Sequence, residues 1–226
     1  MTGCSRGYIS SVNDNAGKSS FALTSVSVDF SGRTSLFAEK MCVPGEGEPL
    51  DIGKNSASAL FDLVNGKTII DNNSTKRIYP ASTTKIMTAL LAIKYGDMNK
   101  MLKASSTVAN LEWDAQRIGI EKGDKLTLDQ AVHYLMVYSA NDAAIMIAEE
   151  IGGSYDRFIE MMNEEAAHIG ATNTHFVNPH GLHDKNHYTT AYDLFLIFQE
   201  CLKYDHFREL INLDYYSTVL DRKSVV

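Results

Sequence analysis

Hydrophobic and polar positions divide the chain near residue 55. Before it, only Val26, Val28 and Phe30 alternate as a strand would, and 7 of the 15 glycines fall within residues 1–55. Pro44-Gly45-Glu46-Gly47-Glu48-Pro49 reads as a linker, so residues 1–55 are expected to be mostly a tether preceding a domain over 56–226. After it come two β-prone runs, Ala59 to Val64 and Lys67 to Ile70, across Asn65-Gly66. Both residue types tolerate the positive φ of a two-residue type I′ turn, which predicts a hairpin. Beyond Pro80 the period lengthens: Ile86, Leu90 and Ile93 recur at helical spacing within 82–95, with Gly96 as the stop. The helical pattern returns over 128–151, 154–169 and 190–203, leaving loops at 104–125 and 171–189. A two-stranded sheet is marginal in water, so other residues must complete it.

Composition narrows the classes. At 226 residues, 44% hydrophobic and 22% charged, the chain can bury a substantial core. Its net charge of −7 disfavours nucleic acid as a partner, since binding phosphate backbones needs clustered Lys and Arg. No run approaches the ~18 apolar residues of a membrane span, and a full secretory signal is missing. Cys4, Cys42 and Cys201 are an odd count without C-x-x-C spacing, which indicates neither a disulfide framework nor a zinc site. Met1-Thr2-Gly3-Cys4 resembles the end of a bacterial lipoprotein signal, so a membrane tether through Cys4 stays open.

The sharpest chemical signal is Pro80-Ala81-Ser82-Thr83-Thr84-Lys85. Residues i and i+3 share a helix face, which places Lys85 beside Ser82 in the first turn. There the helix dipole favours an oxyanion, and a desolvated lysine can serve as the base that a serine nucleophile needs. A capped helix with a solvated lysine has the same pattern. Tyr138-Ser139-Ala140-Asn141-Asp142 supplies a second serine and an amide: Ser139 for proton relay, Asn141 to hold a substrate amide, or else a helix cap.

These segments resemble those of the D-alanyl-D-alanine carboxypeptidases, low-molecular-weight penicillin-binding proteins of the serine acyl-transferase superfamily. Ile78 through Leu90 is similar to their nucleophile segment over its whole length, and Ser139 through Ala144 to their second motif. Asn173 through Leu182 and Tyr188 through Leu194 follow in the family's order. The resemblance implies an α/β fold of the β-lactamase and transpeptidase kind, a helical subdomain packed on an antiparallel sheet. It implies that Ser82, Lys85 and Ser139 are catalytic and that Asn141 binds substrate, without a metal or organic cofactor. The implied substrate is a peptidoglycan stem peptide ending in D-Ala-D-Ala, the implied inhibitors are β-lactams, and the implied location is the extracytoplasmic face of a bacterial envelope.

The family's third motif, K-T-G or K-S-G on a strand, does not occur; Gly66-Lys67-Thr68 has the wrong order. That strand would follow residue 217, so the resemblance implies that the C-terminal strands are missing and that the chain is a poor enzyme with an uncovered hairpin. Three alternatives remain at this point: a β-lactamase, for which Glu112 or Glu121 would aim the water, a sporulation-type or regulatory peptidase of the same family, and a catalytically inactive binding or scaffolding domain. His175, His180, His183 and His187 cluster, but not at zinc-protease spacing, and His180 is expected to fix a loop. Asp193 is expected to cap or support the helix through 203, and Trp113 and Tyr134 to line the core or cleft.

Overall fold

The computed structural model describes residues 42–45, 47–48, 56–112 and 114–218. The proposed leader through residue 41, with Cys4, and Trp113 lie outside the described residues. The architecture is mixed α/β, with helices packed around a central helix and short antiparallel strand pairs at the margin.

Strands β1 (Ser58–Asp62) and β2 (Lys67–Asn72) pair antiparallel with a bulge between Leu60 and Phe61. The expected two-residue turn is not formed, because Asp62 pairs with Lys67 and leaves a four-residue loop. The Asp62 side chain explains it: its carboxylate accepts from Val64 N at 2.9 Å, Asn65 N at 3.0 Å and Asn65 Nδ2 at 2.6 Å. This Asx-type wrap leaves Gly66 as the loop's residue of positive φ, at 66°. The sheet is extended by Glu48, whose N–H donates to the Ile69 carbonyl at 3.0 Å and whose carbonyl accepts from Asp71 N at 3.1 Å. Phe61 stacks on Phe195 at 4.1 Å, seating the hairpin on the helices, while Leu60 and Ile69 remain 49% and 47% exposed.

Helix α1 (Lys85–Tyr95) is the hub, burying Met87, Leu90 and Leu91 completely. The helical stretch expected from residue 82 begins instead as a 3₁₀ turn, Ala81–Thr84, that runs into α1. Strands β3 (Met101–Lys103) and β4 (Lys125–Thr127), three residues each, bracket the loop expected at 104–125. Thr127 then opens α2 (Leu128–Val137) with a reciprocal cap: its hydroxyl accepts from Gln130 N at 3.1 Å, and Gln130 Oε1 accepts from Thr127 N at 2.8 Å.

The pattern over 128–151 is not one helix. It breaks at Tyr138–Ala140, where Ser139 takes a φ of 59°, and resumes as α3 (Asn141–Gly152), buried along Asn141 to Ala148. Gly153, at φ 68°, separates α3 from α4 (Tyr155–His168). Then come α5 (Ala191–Cys201), capped by Thr190, and the short α6 (Asp205–Leu210), which the sequence pattern did not predict. α1 packs against α2, α3, α4, α5 and α6. Burying Leu90 or Leu91 there removes an apolar side chain from water, worth about 1.5–3 kcal/mol each. That packing anchors the first turn of α1, which carries Lys85.

Candidate active site

Ser82 is exposed in the 3₁₀ turn, and Lys85 one turn on is 3% exposed. Lys85 Nζ lies 3.4 Å from Ser82 Oγ and donates to the His180 carbonyl at 2.6 Å. Burial of the ammonium lowers its pKa from the ordinary lysine value to about 8. The solvated-lysine alternative is thereby excluded, and a hydroxyl and a potential base stand side by side.

A loop at 175–189 holds this turn from the other side. Thr88 Oγ1 donates to the Pro179 carbonyl at 2.6 Å, and Asn178 Oδ1 accepts from Gly181 N at 2.6 Å. Gly181 has a φ of 89°, and a Cβ there would fall on the Ala81 carbonyl oxygen and within 3.0 Å of Thr84 Oγ1. Only glycine allows that approach. His187 Nδ1 accepts from Val177 N at 3.1 Å, so its Nε2–H donates to Thr84 Oγ1 at 2.7 Å. Burial lowers the pKa of His187 to about 4, and burial together with the Lys85 charge lowers that of His180 to about 4. His180 fixes the loop as expected: its Nδ1 accepts from Leu182 N at 3.2 Å. His175 Nδ1 donates to the Asn186 carbonyl at 2.7 Å and His183 packs edge-on to Tyr79, so these four rings serve local structure.

The second motif forms the turn between α2 and α3. Asn141 is 4% exposed and its Oδ1 has no hydrogen-bond partner. It does not cap the helix; Ala140 occupies that position without a side-chain bond. Asn141 N donates to the Gln116 carbonyl at 2.9 Å. Buried Asp142 binds the same strap, accepting from Ile118 N at 3.3 Å and from Gly119 N and Ile120 N at 2.9 Å each. Ser139 and Asn141 make no direct hydrogen bond to Ser82 or Lys85 among the described residues.

Asp193 supports rather than caps its helix: it accepts from Asn173 N at 2.8 Å and Thr174 Oγ1 at 2.7 Å, while Thr190 caps. Tyr134 is partly buried against the core. A cavity of about 310 Å³ lies beside the site, lined by Glu112, Tyr155, Ile145, His180 and Leu182. Thr84, Thr88, Asp142, Gly181 and His187 were not singled out by sequence reasoning as supports, although Asn178-Pro179-His180-Gly181 is a turn signal.

Residues 46–223 match the family Peptidase_S11, D-alanyl-D-alanine carboxypeptidase. The chain is 37% identical over 153 residues to D-alanyl-D-alanine carboxypeptidase DacF of Bacillus subtilis, covering 66% of this chain and 39% of that protein. The crystal structure of D-alanyl-D-alanine carboxypeptidase DacD from Francisella tularensis is 34% identical, with a TM-score of 0.64 over 72% of this chain and 40% of that one. That of the Mycobacterium tuberculosis D-alanyl-D-alanine carboxypeptidase is 30% identical, with a TM-score of 0.66 over 74% and 63%. The chain thus spans well under two thirds of the length of DacF, and the described motifs fall within residues 46–223 that match the family. On that match and this geometry, the chain belongs to the D-alanyl-D-alanine carboxypeptidase family.

Proposed function

We propose that this chain carries the acylation centre of a serine-type carboxypeptidase that removes the terminal D-alanine from peptidoglycan stem peptides. The observation that carries the reading is the pair of Ser82 Oγ and buried Lys85 Nζ at 3.4 Å, with the lysine's pKa lowered to about 8. Neutral Lys85 accepts the Ser82 proton as Oγ attacks the carbonyl carbon between the two D-alanines. The peptide C–N bond then breaks as Lys85 returns its proton through the Ser139 hydroxyl to the departing amine, and free D-alanine leaves an ester on Ser82. Water hydrolyses that ester and restores the serine.

Asn141 Oδ1, buried without a partner, accepts the backbone N–H of the stem peptide. The start of α1 lends its positive end to the oxyanion. β-Lactams would acylate Ser82 in the same way, as covalent inhibitors. The substrate sits in the bacterial cell wall, which places the protein on the extracytoplasmic side of the envelope. The catalytic region is taken from near residue 56, with residues 1–55 as a leader whose Glu48 adds to the edge of the hairpin sheet. Among the described residues no helix is long and apolar enough to cross a membrane.

Labelling with a fluorescent penicillin tests the reading. One label per chain on the Ser82 peptide is expected, with none in Ser82→Ala. Labelling that survives Ser82→Ala overturns the assignment.

A further inference from the structure

Away from the serine, two helices bring three metal-binding side chains together. Asp129 and His133 stand one turn apart on α2, and His206 projects from the first turn of α6. Their ligand atoms lie within 4.8 Å of one another. His206 Nε2 is 3.2 Å from Asp129 Oδ1, and His133 Nδ1 is 3.4 Å from Asp129 Oδ2. Two donors on one tetrahedral zinc, with bonds of about 2.0–2.2 Å, sit roughly 3.4 Å apart, so these spacings suit a shared ion.

A second observation concerns burial. His206 Nε2 is shielded from solvent and has no hydrogen-bond partner, because its approach to Asp129 Oδ1 is close without being aligned. A buried ring nitrogen left unsatisfied requires an explanation, and a bound metal ion is one. The surroundings are also built up. Tyr216 stacks on the His133 ring at 4.3 Å, and Gln130 Nε2 donates to Thr218 Oγ1 at 2.8 Å, holding that segment over α2.

We propose that Asp129, His133 and His206 bind a zinc-class divalent ion that fastens α6 and the segment after it to α2. Two imidazoles and one carboxylate are a ligand set for zinc and its first-row neighbours, with water in the fourth position. His133 Nδ1 now donates to the Asp129 carbonyl at 2.8 Å. On binding, the ring proton moves to Nε2 and Nδ1 turns its lone pair to the ion, so no net proton is released by that ring. The site lies on α2, which ends at Val137 just before the Ser139 turn, so a bound ion would stiffen the helix that leads into the second motif.

Calorimetric titration of the metal-free protein with Zn²⁺, alongside its melting temperature, tests this without an activity assay. One ion per chain and a saturable rise in melting temperature are expected. His206→Gln and Asp129→Asn should each weaken binding at least ~10-fold and abolish the rise, whereas His168→Gln, at an exposed histidine on α4, keeps both. If His206→Gln does not fold, Asp129→Asn alone decides, since that carboxylate is partly exposed. No saturable zinc binding overturns the proposal. So does binding that survives both ligand substitutions, or that is lost equally in His168→Gln.

Discussion

The turn that carries Ser82 and the turn that carries Ser139 are built alike and braced separately. Each places a non-glycine residue in the left-handed region just ahead of a buried helix, Ala81 at φ 49° before α1 and Ser139 at φ 59° before α3. Each is locked by a loop distant in sequence: residues 175–189 for the first, residues 116–120 for the second. They differ in how the lock works. The first relies on close backbone approach at Gly181 and on hydrogen bonds to neutral groups around one buried cation. The second relies on a single carboxylate, Asp142, that gathers several backbone N–H groups. Left-handed non-glycine residues persist only where the surroundings over-determine them. The two turns therefore act as separately clamped parts, and each should fail through its own loop.

The largest expected effect concerns the chemistry at the first turn. Only the neutral amine accepts a proton, so acylation by a β-lactam should rise with pH through an apparent pKa near 8 and level off above it. Lys85→Arg keeps the cation but cannot lose its proton, which should cut acylation at least ~10²-fold and flatten the profile. Stopped-flow acylation from about pH 6 to about pH 10 reads both. A wild-type profile without that rise would show that the lysine acts only as a charge.

Gly181→Ala breaks the first clamp by sterics. The added methyl meets the Ala81 carbonyl and strains a left-handed backbone, an expected loss of about 2–4 kcal/mol. Acylation should fall with it, while amide exchange at Ile118 to Ile120 stays protected. Equal loss of protection in both loops would show one cooperative unit instead of two.

What could be read from the sequence follows the same division. The Ser82 and Lys85 pairing was legible because three residues on a helical turn fix it locally. Its clamp was not, since Lys85 meets His180 and Thr84 meets His187 across some hundred residues. The break at Ser139 carries neither Gly nor Pro, so a run of good helix formers through Val137 looked continuous into α3. The hairpin was placed correctly and its turn was not, because Asp62 outcompeted the Asn-Gly preference by binding the loop's own N–H groups. The pair β3 and β4, at three residues each, is too short for an alternation to register. Asp129 and His133 show helical spacing, but nothing local announces His206.

The second clamp should yield to Asp142→Asn. An amide offers one acceptor oxygen in place of two and turns its N–H₂ toward backbone N–H groups that the carboxylate now satisfies. Charge-assisted bonds of this kind are worth about 1.5–3 kcal/mol, so the loss should be of that order. Here the protection pattern reverses: Ile118 to Ile120 exchange faster while the 178–182 loop does not. Denaturant melts with amide exchange by mass spectrometry would measure both, and an unchanged 116–120 strap would sink the second clamp.

The smallest effect is expected from Ala81→Gly, which removes the side chain but leaves the turn. Holding an L-residue in the left-handed region costs about 1–2 kcal/mol, and glycine avoids that cost while adding up to ~1 kcal/mol of chain entropy to the unfolded state. The two nearly cancel, so the melting temperature should stay level or rise slightly. Acylation should remain within a factor of a few, because Ser82 and Lys85 are set by α1 and by the loop at 178–182 and not by the Ala81 methyl. A large fall in acylation with an unchanged melting temperature would mean that the strained residue itself aims Ser82. In that case the first turn depends on backbone strain, and its likeness to the Ser139 turn is functional as well as geometric.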